Sequence, residues 1–245
     1  MSKFCVIIAA AGKAERFGGA EKKTFAKLDG RPVFLRSLEH FVTREDVCQT
    51  ILTVAPEDAE AMKSKYGANL GFMGVKLAEG GERRCDTVGA ALKVVSDEAE
   101  FVAVHDAARP CVRSELIDAV FAEAVKSGAA ILAAPITGTI KRVGESMVVE
   151  ATEPRRRLYE AQTPQVFRKD LLLDAYGRLD EKAKKEMTDD AQLVERAGHH
   201  VSVVESDPTN VKITTKADMT LAHAILRVRP SKPAPRLGAF EEAQW

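Results

Sequence analysis

Five short, almost unbroken apolar runs alternate with segments of helical periodicity, and no other feature constrains this chain more. The runs are Phe4 to Ala9, Thr50 to Ala55, Val75 to Ala78, Phe101 to His105 and Ala130 to Ala134. Between them lie Pro32 to Val42, Glu57 to Tyr66, Arg83 to Val95 and Ser114 to Lys126. In the last of these, Leu116, Ile117, Val120, Phe121, Ala124 and Val125 fall on one face at helical spacing. A strand apolar at every position is buried on both sides, and strands joined through helices run parallel. The predicted fold class is α/β: a Rossmann-like, mostly parallel sheet with helices on both faces. Such sheets take ligands at the carboxyl ends of their strands, so the loops that follow the strands are where chemistry belongs.

The region from Thr139 to Gln165 breaks this rhythm. Thr139 to Val143, then Gly144-Glu-Ser, then Met147 to Ala151 reads as two strands joined by a tight turn. This is an inserted β-hairpin arm, about residues 137–160; an arm that reaches a partner subunit and an edge hairpin folded on its own domain are equally compatible with it. Helices resume from Arg168 to Leu179 and from Thr188 to Ala197, with a strand at Val201 to Glu205. Thr215 and Asp218 form a capping box at the head of a helix running to Leu226. Residues 1–228 are read as one domain and 229–245, with three prolines and no periodicity, as a flexible C-terminal tail.

Composition narrows the function classes. Among 245 residues, 36 Lys and Arg balance 36 Asp and Glu, which points away from nucleic acid or an anionic membrane as a bulk partner. Any anion site must come from a local cluster. Cys5, Cys48, Cys85 and Cys111 form no C-x-x-C pair and read as free thiols in a reducing cytoplasm. The apolar run at the amino terminus is too short for a signal peptide and is followed at once by Lys13, Glu15 and Arg16. No segment approaches a membrane span in length.

The loop after the first strand, Ala9 to Lys23, begins with small residues and then carries Arg16, Lys22 and Lys23. Small residues let a polyanion approach backbone amides. The dinucleotide fingerprint fails, because Ala14 and Phe17 stand where glycines are needed after Gly12; the P-loop fails because Phe17-Gly18-Gly19 replaces G-K-[ST]. Fixed cations beside such a loop suit phosphoryl transfer, where stabilising charge on the transferring group is the main demand. A solvated basic loop fits the same residues.

Four blocks together resolve that choice. They are A-A-A-G-x-x-x-R-F with a lysine seven residues after its arginine; Gly80-Gly-Glu-Arg-Arg-Cys-Asp-Thr-Val88; His105-Asp-Ala-Ala-Arg-Pro110; and Thr163-Pro-Gln165 followed by Asn210-Val-Lys-Ile-Thr214. In this order, from Phe4 to Leu226, the chain resembles the 2-C-methyl-D-erythritol 4-phosphate cytidylyltransferase family of sugar-phosphate nucleotidyltransferases. The resemblance implies transfer of a cytidylyl group from CTP to a sugar-alcohol phosphate with release of pyrophosphate, in non-mevalonate isoprenoid synthesis. It also implies the residue roles. Arg16 and Lys23 stabilise the transition state. Ala10, Gly12, Gly80, Gly81, Glu82 and Thr87 hold the nucleotide, with Ala107 against the ribose. Asp106, Arg109, Thr163 and Lys212 form the acceptor site, and Thr139 and Arg155 enter the neighbouring subunit's site from the arm of a homodimer. Mg2+ is implied by the triphosphate, held largely by phosphates and water, with Asp106 the one protein group to name. The family more often has Asp, Ser and Pro where this chain has Glu82, Thr87 and Ala9. Two rivals stand beside this reading: a cytidylyltransferase acting on ribitol 5-phosphate, and a catalytically silent nucleotide-binding module.

Overall fold

The computed structural model describes residues 2–12 and 25–229. The elements run β1 (Phe4–Ala9), β2 (Lys27–Leu28), β3 (Arg31–Pro32), α1 (Val33–Glu39), β4 (Val47–Val54), α2 (Pro56–Phe72), β5 (Val75–Glu79), α3 (Arg84–Leu92), β6 (Phe101–Asp106) and α4 (Ser114–Ser127). They continue with β7 (Ala129–Pro135), β8 (Ile140–Val143), β9 (Val149–Glu153), β10 (Tyr159–Arg168), α5 (Lys169–Gly177), α6 (Glu181–Glu186), α7 (Asp190–Arg196), β11 (Ser202–Glu205) and α8 (Lys216–Val228). Seven strands form one sheet in the order β11-β7-β10-β6-β1-β4-β5, parallel except for β10, which runs antiparallel to both neighbours.

Four of the five apolar runs are buried on both faces as expected, whereas Val75 to Ala78, on the edge strand β5, is only partly buried with Lys76 exposed; the alternation of the buried strands separates two cores. Phe4, Val6 and Ile8 of β1 face one core with Ala103 of β6, Leu132 of β7 and the inner faces of α1, α2 and α4. Cys5 and Ile7 face the other, with Val102, Val104, Phe167 and the inner faces of α3, α5 and α7. A third, smaller cluster joins α8 to the β2–β3 turn through Leu28, Val33, Cys111, Ile213 and Ala222. Gly128 ends α4 in the left-handed conformation at φ 85°, where a side chain would be strained. The Thr215–Asp218 capping box opens α8.

The structure differs from the sequence reading in several places, among them the short strands β2 and β3 and helix α6, which that reading did not contain. The antiparallel strand β10 was not anticipated, because Tyr159 to Arg168 is rich in polar residues and contains Pro164, which argues against an inner strand. Pro164 is tolerated because it lies in the interruption of the β7–β10 ladder, between the Ala161–Ala133 and Gln165–Ile131 pairs, where its missing N–H breaks no regular bond; the Thr163–Pro164 peptide is cis. Helix α2 continues past Tyr66 through Gly67 and Gly71 to Phe72, because burial of Tyr66 and Leu70 outweighs a helical glycine's penalty of about 1 kcal/mol. Arg229, assigned to the tail, is tied to the body through bonds from its guanidinium to Cys111 O (2.6 Å) and Thr209 Oγ1 (2.7 Å). Residues 230–245 lie outside the described part.

The hairpin arm is present as its own two-stranded sheet, β8–β9. Its feet are the ends of β7 and β10: Pro135 pairs with Tyr159, and the Ile136 amide donates to Leu158 O at 3.0 Å.

Candidate functional site

The carboxyl ends of β1 and β6, the Gly80–Arg83 loop after β5 and the loop before α8 surround a cleft of about 140 Å3. Ala9, Ala10, Ala11 and Gly12 form one wall; Glu82, Arg83, Arg84 and Thr87 form a second; Asp106, Ala107, Ala108 and Lys212 form a third. This is the position that a mostly parallel sheet offers a ligand.

The Ala9–Gly12 wall consists of residues with small side chains. The Ala10 amide donates to Thr53 O at 2.9 Å and so continues the sheet. An amide grip on phosphate therefore begins after Ala10. Across the cleft, Gly80 and Gly81 are packed against the first turn of α3. A methyl group on Gly80 would stand 2.7 Å from Ala11 Cβ and 2.8 Å from Thr87 Oγ1, and one on Gly81 would stand 2.4 Å from Asp86 Cβ. Thr87 closes this loop on itself: its hydroxyl lies within hydrogen-bonding distance of Arg83 O (3.0 Å) and Gly81 O (3.3 Å), and it accepts from the Gly81 amide at 3.2 Å. Thr87 is 2% exposed, so its hydroxyl shapes the loop from behind.

Asp106 ends β6 and is the electrostatic centre. Lys212 Nζ lies 2.7 Å from its Oδ2, Arg109 Nε 3.5 Å from the same oxygen, and Arg84 Nε 3.6 Å from Oδ1. Burial alone would raise the Asp106 carboxyl, but Arg84, Lys212 and Arg109 overturn that and hold it well below the usual carboxylate range. Arg109 is driven the other way: burial lowers its guanidinium, and Asp106 only partly offsets this. Arg84 is shared with a second buried carboxylate, Asp190, at 2.5 Å from its Nη1. Asp190 in turn accepts from Tyr176 Oη at 2.6 Å, and burial, reinforced by Asp190, pushes that phenol well up. Three cations, Arg84, Arg109 and Lys212, thus converge on the single carboxylate of Asp106, with Arg84 shared with Asp190.

Beneath Asp106, Thr163 and His105 form a closed set. Thr163 Oγ1 accepts from the Asp106 amide at 3.0 Å and contacts His105 Nδ1 at 3.1 Å. His105 Nε2 lies 3.1 Å from Arg109 O, which only accepts, so the ring carries its proton on Nε2 and Nδ1 accepts a hydrogen bond from the Thr163 hydroxyl. Burial lowers the ring to about 3, so it stays neutral at ordinary pH. With both nitrogens engaged, His105 organises the site and is not a free base.

The structure therefore brings together most of the sequence-derived candidates. Ala10, Gly12, Glu82, Thr87, Asp106, Ala107 and Lys212 line the cleft. Gly80 and Gly81 back it, and Arg109 and Thr163 hold Asp106 from below. Thr139 and Arg155 are not among the residues lining it: both are exposed on the arm, where the Arg155 guanidinium donates to Thr137 O. Arg16 and Lys23 lie outside the described residues. Arg84 was not singled out from the sequence, although it stands in the Gly80 block. Its signal was an arginine at the first turn of a helix after a strand, which becomes informative only once β6 and α7 bring Asp106 and Asp190 to it. Among the described residues, no three His, Cys, Asp or Glu side chains gather as a metal cage, and no helix is long and apolar enough to cross a membrane.

A family model described as IspD, 2-C-methyl-D-erythritol 4-phosphate cytidylyltransferase, matches residues 4–228. The chain is 42% identical over 233 residues to the 2-C-methyl-D-erythritol 4-phosphate cytidylyltransferase of Rhodopirellula baltica, covering 90% of this chain and 93% of that one. It is 39% identical to the enzyme of the same name from Solibacter usitatus, with 92% and 96% covered. Among solved structures, 2-C-methyl-D-erythritol 4-phosphate cytidylyltransferase from Thermus thermophilus superposes with a TM-score of 0.73 at 32% identity, covering 91% of this chain and 98% of that one. The Francisella tularensis enzyme superposes at 0.77 and 29%, with 91% and 100% covered.

Proposed function

Since the chain belongs to the 2-C-methyl-D-erythritol 4-phosphate cytidylyltransferase family, we propose that it transfers the cytidylyl group of CTP to 2-C-methyl-D-erythritol 4-phosphate and releases pyrophosphate. The observation that carries this reading is the cation cluster around Asp106, set opposite a wall of small residues at the carboxyl ends of β1 and β6. A triphosphate needs close backbone approach, an acceptor phosphate needs fixed positive charge, and the cleft offers both in one space.

The chemistry is an in-line displacement. An acceptor phosphate oxygen forms a bond to the α-phosphorus of CTP while the bond to the bridging oxygen breaks, and pyrophosphate leaves. The nucleophile is already an anion at neutral pH, so no general base is required, in keeping with a neutral, fully engaged His105. Lys212 and Arg109 supply positive charge to the acceptor phosphate. Arg16 and Lys23 take the transition-state charge, as the family resemblance implies, and pre-placed cations do so without reorganisation. Gly80, Gly81 and Glu82 frame the base, and Ala107 faces the ribose. Thr139 and Arg155 complete the acceptor site of a second copy, which makes the protein a homodimer assembled through its arm. The body, residues 1–228, is one nucleotidyltransferase domain.

Two carboxylates reach the cleft wall, Asp106 and Glu82, and of these Asp106 would meet a magnesium ion arriving with the triphosphate. Such an ion would neutralise phosphate charge, and phosphate oxygens and water would supply its other ligands.

The test is pyrophosphate release by the purified protein with CTP and Mg2+, offered 2-C-methyl-D-erythritol 4-phosphate or, separately, ribitol 5-phosphate. Turnover with the first alone is the expected result. Turnover with the second alone keeps the chemistry and replaces the acceptor. Release with neither refutes the proposal.

A further inference from the structure

The groups of the proposed acceptor site sit on segments that have no reason of their own to converge. Arg109 is in the turn after β6, Thr163 is at the interruption of β10, and Lys212 is in the irregular stretch between β11 and α8. Lys212 is the least constrained of them: its side chain is 41% exposed, and a four-carbon stem carries the ammonium that meets Asp106. Such a group is only as well placed as the backbone that carries it.

One residue touches all three segments. Asn210, 1% exposed, stands two positions before Lys212. Its backbone carbonyl accepts from Arg109 Nη1 at 2.6 Å. Its side-chain amide donates to Thr163 O at 3.0 Å and to Gln162 Oε1 at 3.0 Å. Gln162, 2% exposed, donates onward to Asp207 O at 3.1 Å, at the start of the same loop. Thr163 O and Asp207 O can only accept, so each must face an NH2 group, and the orientations of both amides are thereby set. Both amide hydrogens of Asn210 are thus engaged by the protein, its Oδ1 is buried without a hydrogen-bond partner among the described residues, and its 1% exposure makes the side chain a strut. Just beyond Lys212, the Ile213 amide donates to Ala108 O at 2.8 Å and fastens the other side of that residue.

From this we infer that Asn210, braced by Gln162, is a positioning residue for the reaction: it sets Lys212 and Arg109 against Asp106 and thereby fixes where the acceptor phosphate docks. The inference rests on the proposed reaction for its kinetic consequence and on geometry alone for its structural one, so the two can fail separately. A buried amide pair that served only to hold the fold would change stability without distinguishing one substrate from the other. A strut beneath the acceptor cations distinguishes them.

Asn210→Ala and Gln162→Met, which cut the strut from opposite ends, are to be compared with the parent protein in two measurements. In the first, the substrate-free proteins are pulse-labelled with an amine-reactive reagent and Lys212 is quantified by mass spectrometry against the exposed Lys126. Both variants are expected to raise Lys212 labelling several-fold with Lys126 unchanged. Unchanged Lys212 labelling in a variant that retains its circular dichroism overturns the inference whatever the activity. In the second, kcat/KM for the acceptor is expected to fall roughly 10- to 100-fold, the scale of a small misplacement of a docking group, while KM for CTP moves less than about threefold. In a Lys212→Ala background the Asn210→Ala loss should shrink to about threefold or less, because coupled residues are non-additive. A full, additive loss there, or equal effects on both substrates, marks Asn210 as merely structural. An inactive parent protein refutes the proposed reaction and leaves the labelling result standing.

Discussion

The proposed nucleotide end of the cleft is made of residues with almost no side chain, Ala9 to Gly12 and Gly80-Gly81, whereas the acceptor end is made of ionised groups drawn from distant parts of the chain. At the first end, recognition depends on how closely backbone can approach a ligand. At the second, it depends on three cations being held around one buried carboxylate. Damage to the first end should appear as steric strain and weakened CTP binding. Damage to the second should appear as lost rate, with binding of CTP spared.

Several substitutions test this contrast, the most severe first. Lys212→Ala removes a pre-placed cation from Asp106, and kcat/KM for the acceptor should fall by about 100-fold or more, the scale of losing one electrostatic contact in an active site. A steady-state titration of the acceptor checks this, and a change below about threefold would remove Lys212 from the site. Gly80→Ala should instead lower stability by about 1–3 kcal/mol, since the new methyl group meets Ala11 and Thr87 and overpacking costs on that order. Denaturant unfolding and the KM for CTP report it, and an unchanged KM for CTP would break the proposed division between the two ends.

The acceptor end also predicts a pH dependence. The folded His105 ring titrates near 3, below its ordinary 6.5, because it is buried. Below pH 6.5 the unfolded chain takes up a proton that the folded chain refuses. The stability contributed by the neutral ring is therefore complete above pH 6.5 and is lost as the pH falls towards 3, by at most about 1.4 kcal/mol per pH unit for one such group. His40, whose ring burial also lowers, acts in the same direction. Asp106 adds its loss only below pH 3.8, as the pH falls towards its lowered value. Urea midpoints from pH 7 to pH 4 should decline, and His105→Gln should flatten the slope; a flat parent profile would contradict the buried neutral ring. The smallest effect belongs to the arm, away from both ends. Met147 adopts φ 59° in the arm's turn, a conformation that costs a non-glycine residue roughly 1–2 kcal/mol, of which glycine's larger chain entropy takes back about 0.5–1 kcal/mol. Met147→Gly should raise the unfolding midpoint slightly and leave kcat unchanged.

The same contrast governs how much of the molecule was legible in the sequence. Residues that act through burial or small size leave a local mark. The fully apolar β1, the apolar Phe101 to Val104 of β6, the helical stripe of α4 and the Gly80-Gly81 turn could all be read from adjacent residues. Residues that act by meeting across the fold leave none. Arg84 looks like any helical arginine until Asp106 and Asp190 are brought to it from 22 and 106 positions away in the chain. Strand β10 was illegible for a related reason. Its polar residues are satisfied by His105, Asn210 and the first turn of α7, and none of those partners is close in sequence.

The paired feet of the arm have an evolutionary consequence. Because Pro135 already pairs with Tyr159, the chain between them is an insertion into what is otherwise an ordinary hairpin of β7 and β10. It can lengthen, shorten or change composition without disturbing a single bond of the seven-stranded sheet. Selection on the arm is thereby uncoupled from the packing of the sheet, and lineages can revise the arm while inheriting the sheet intact.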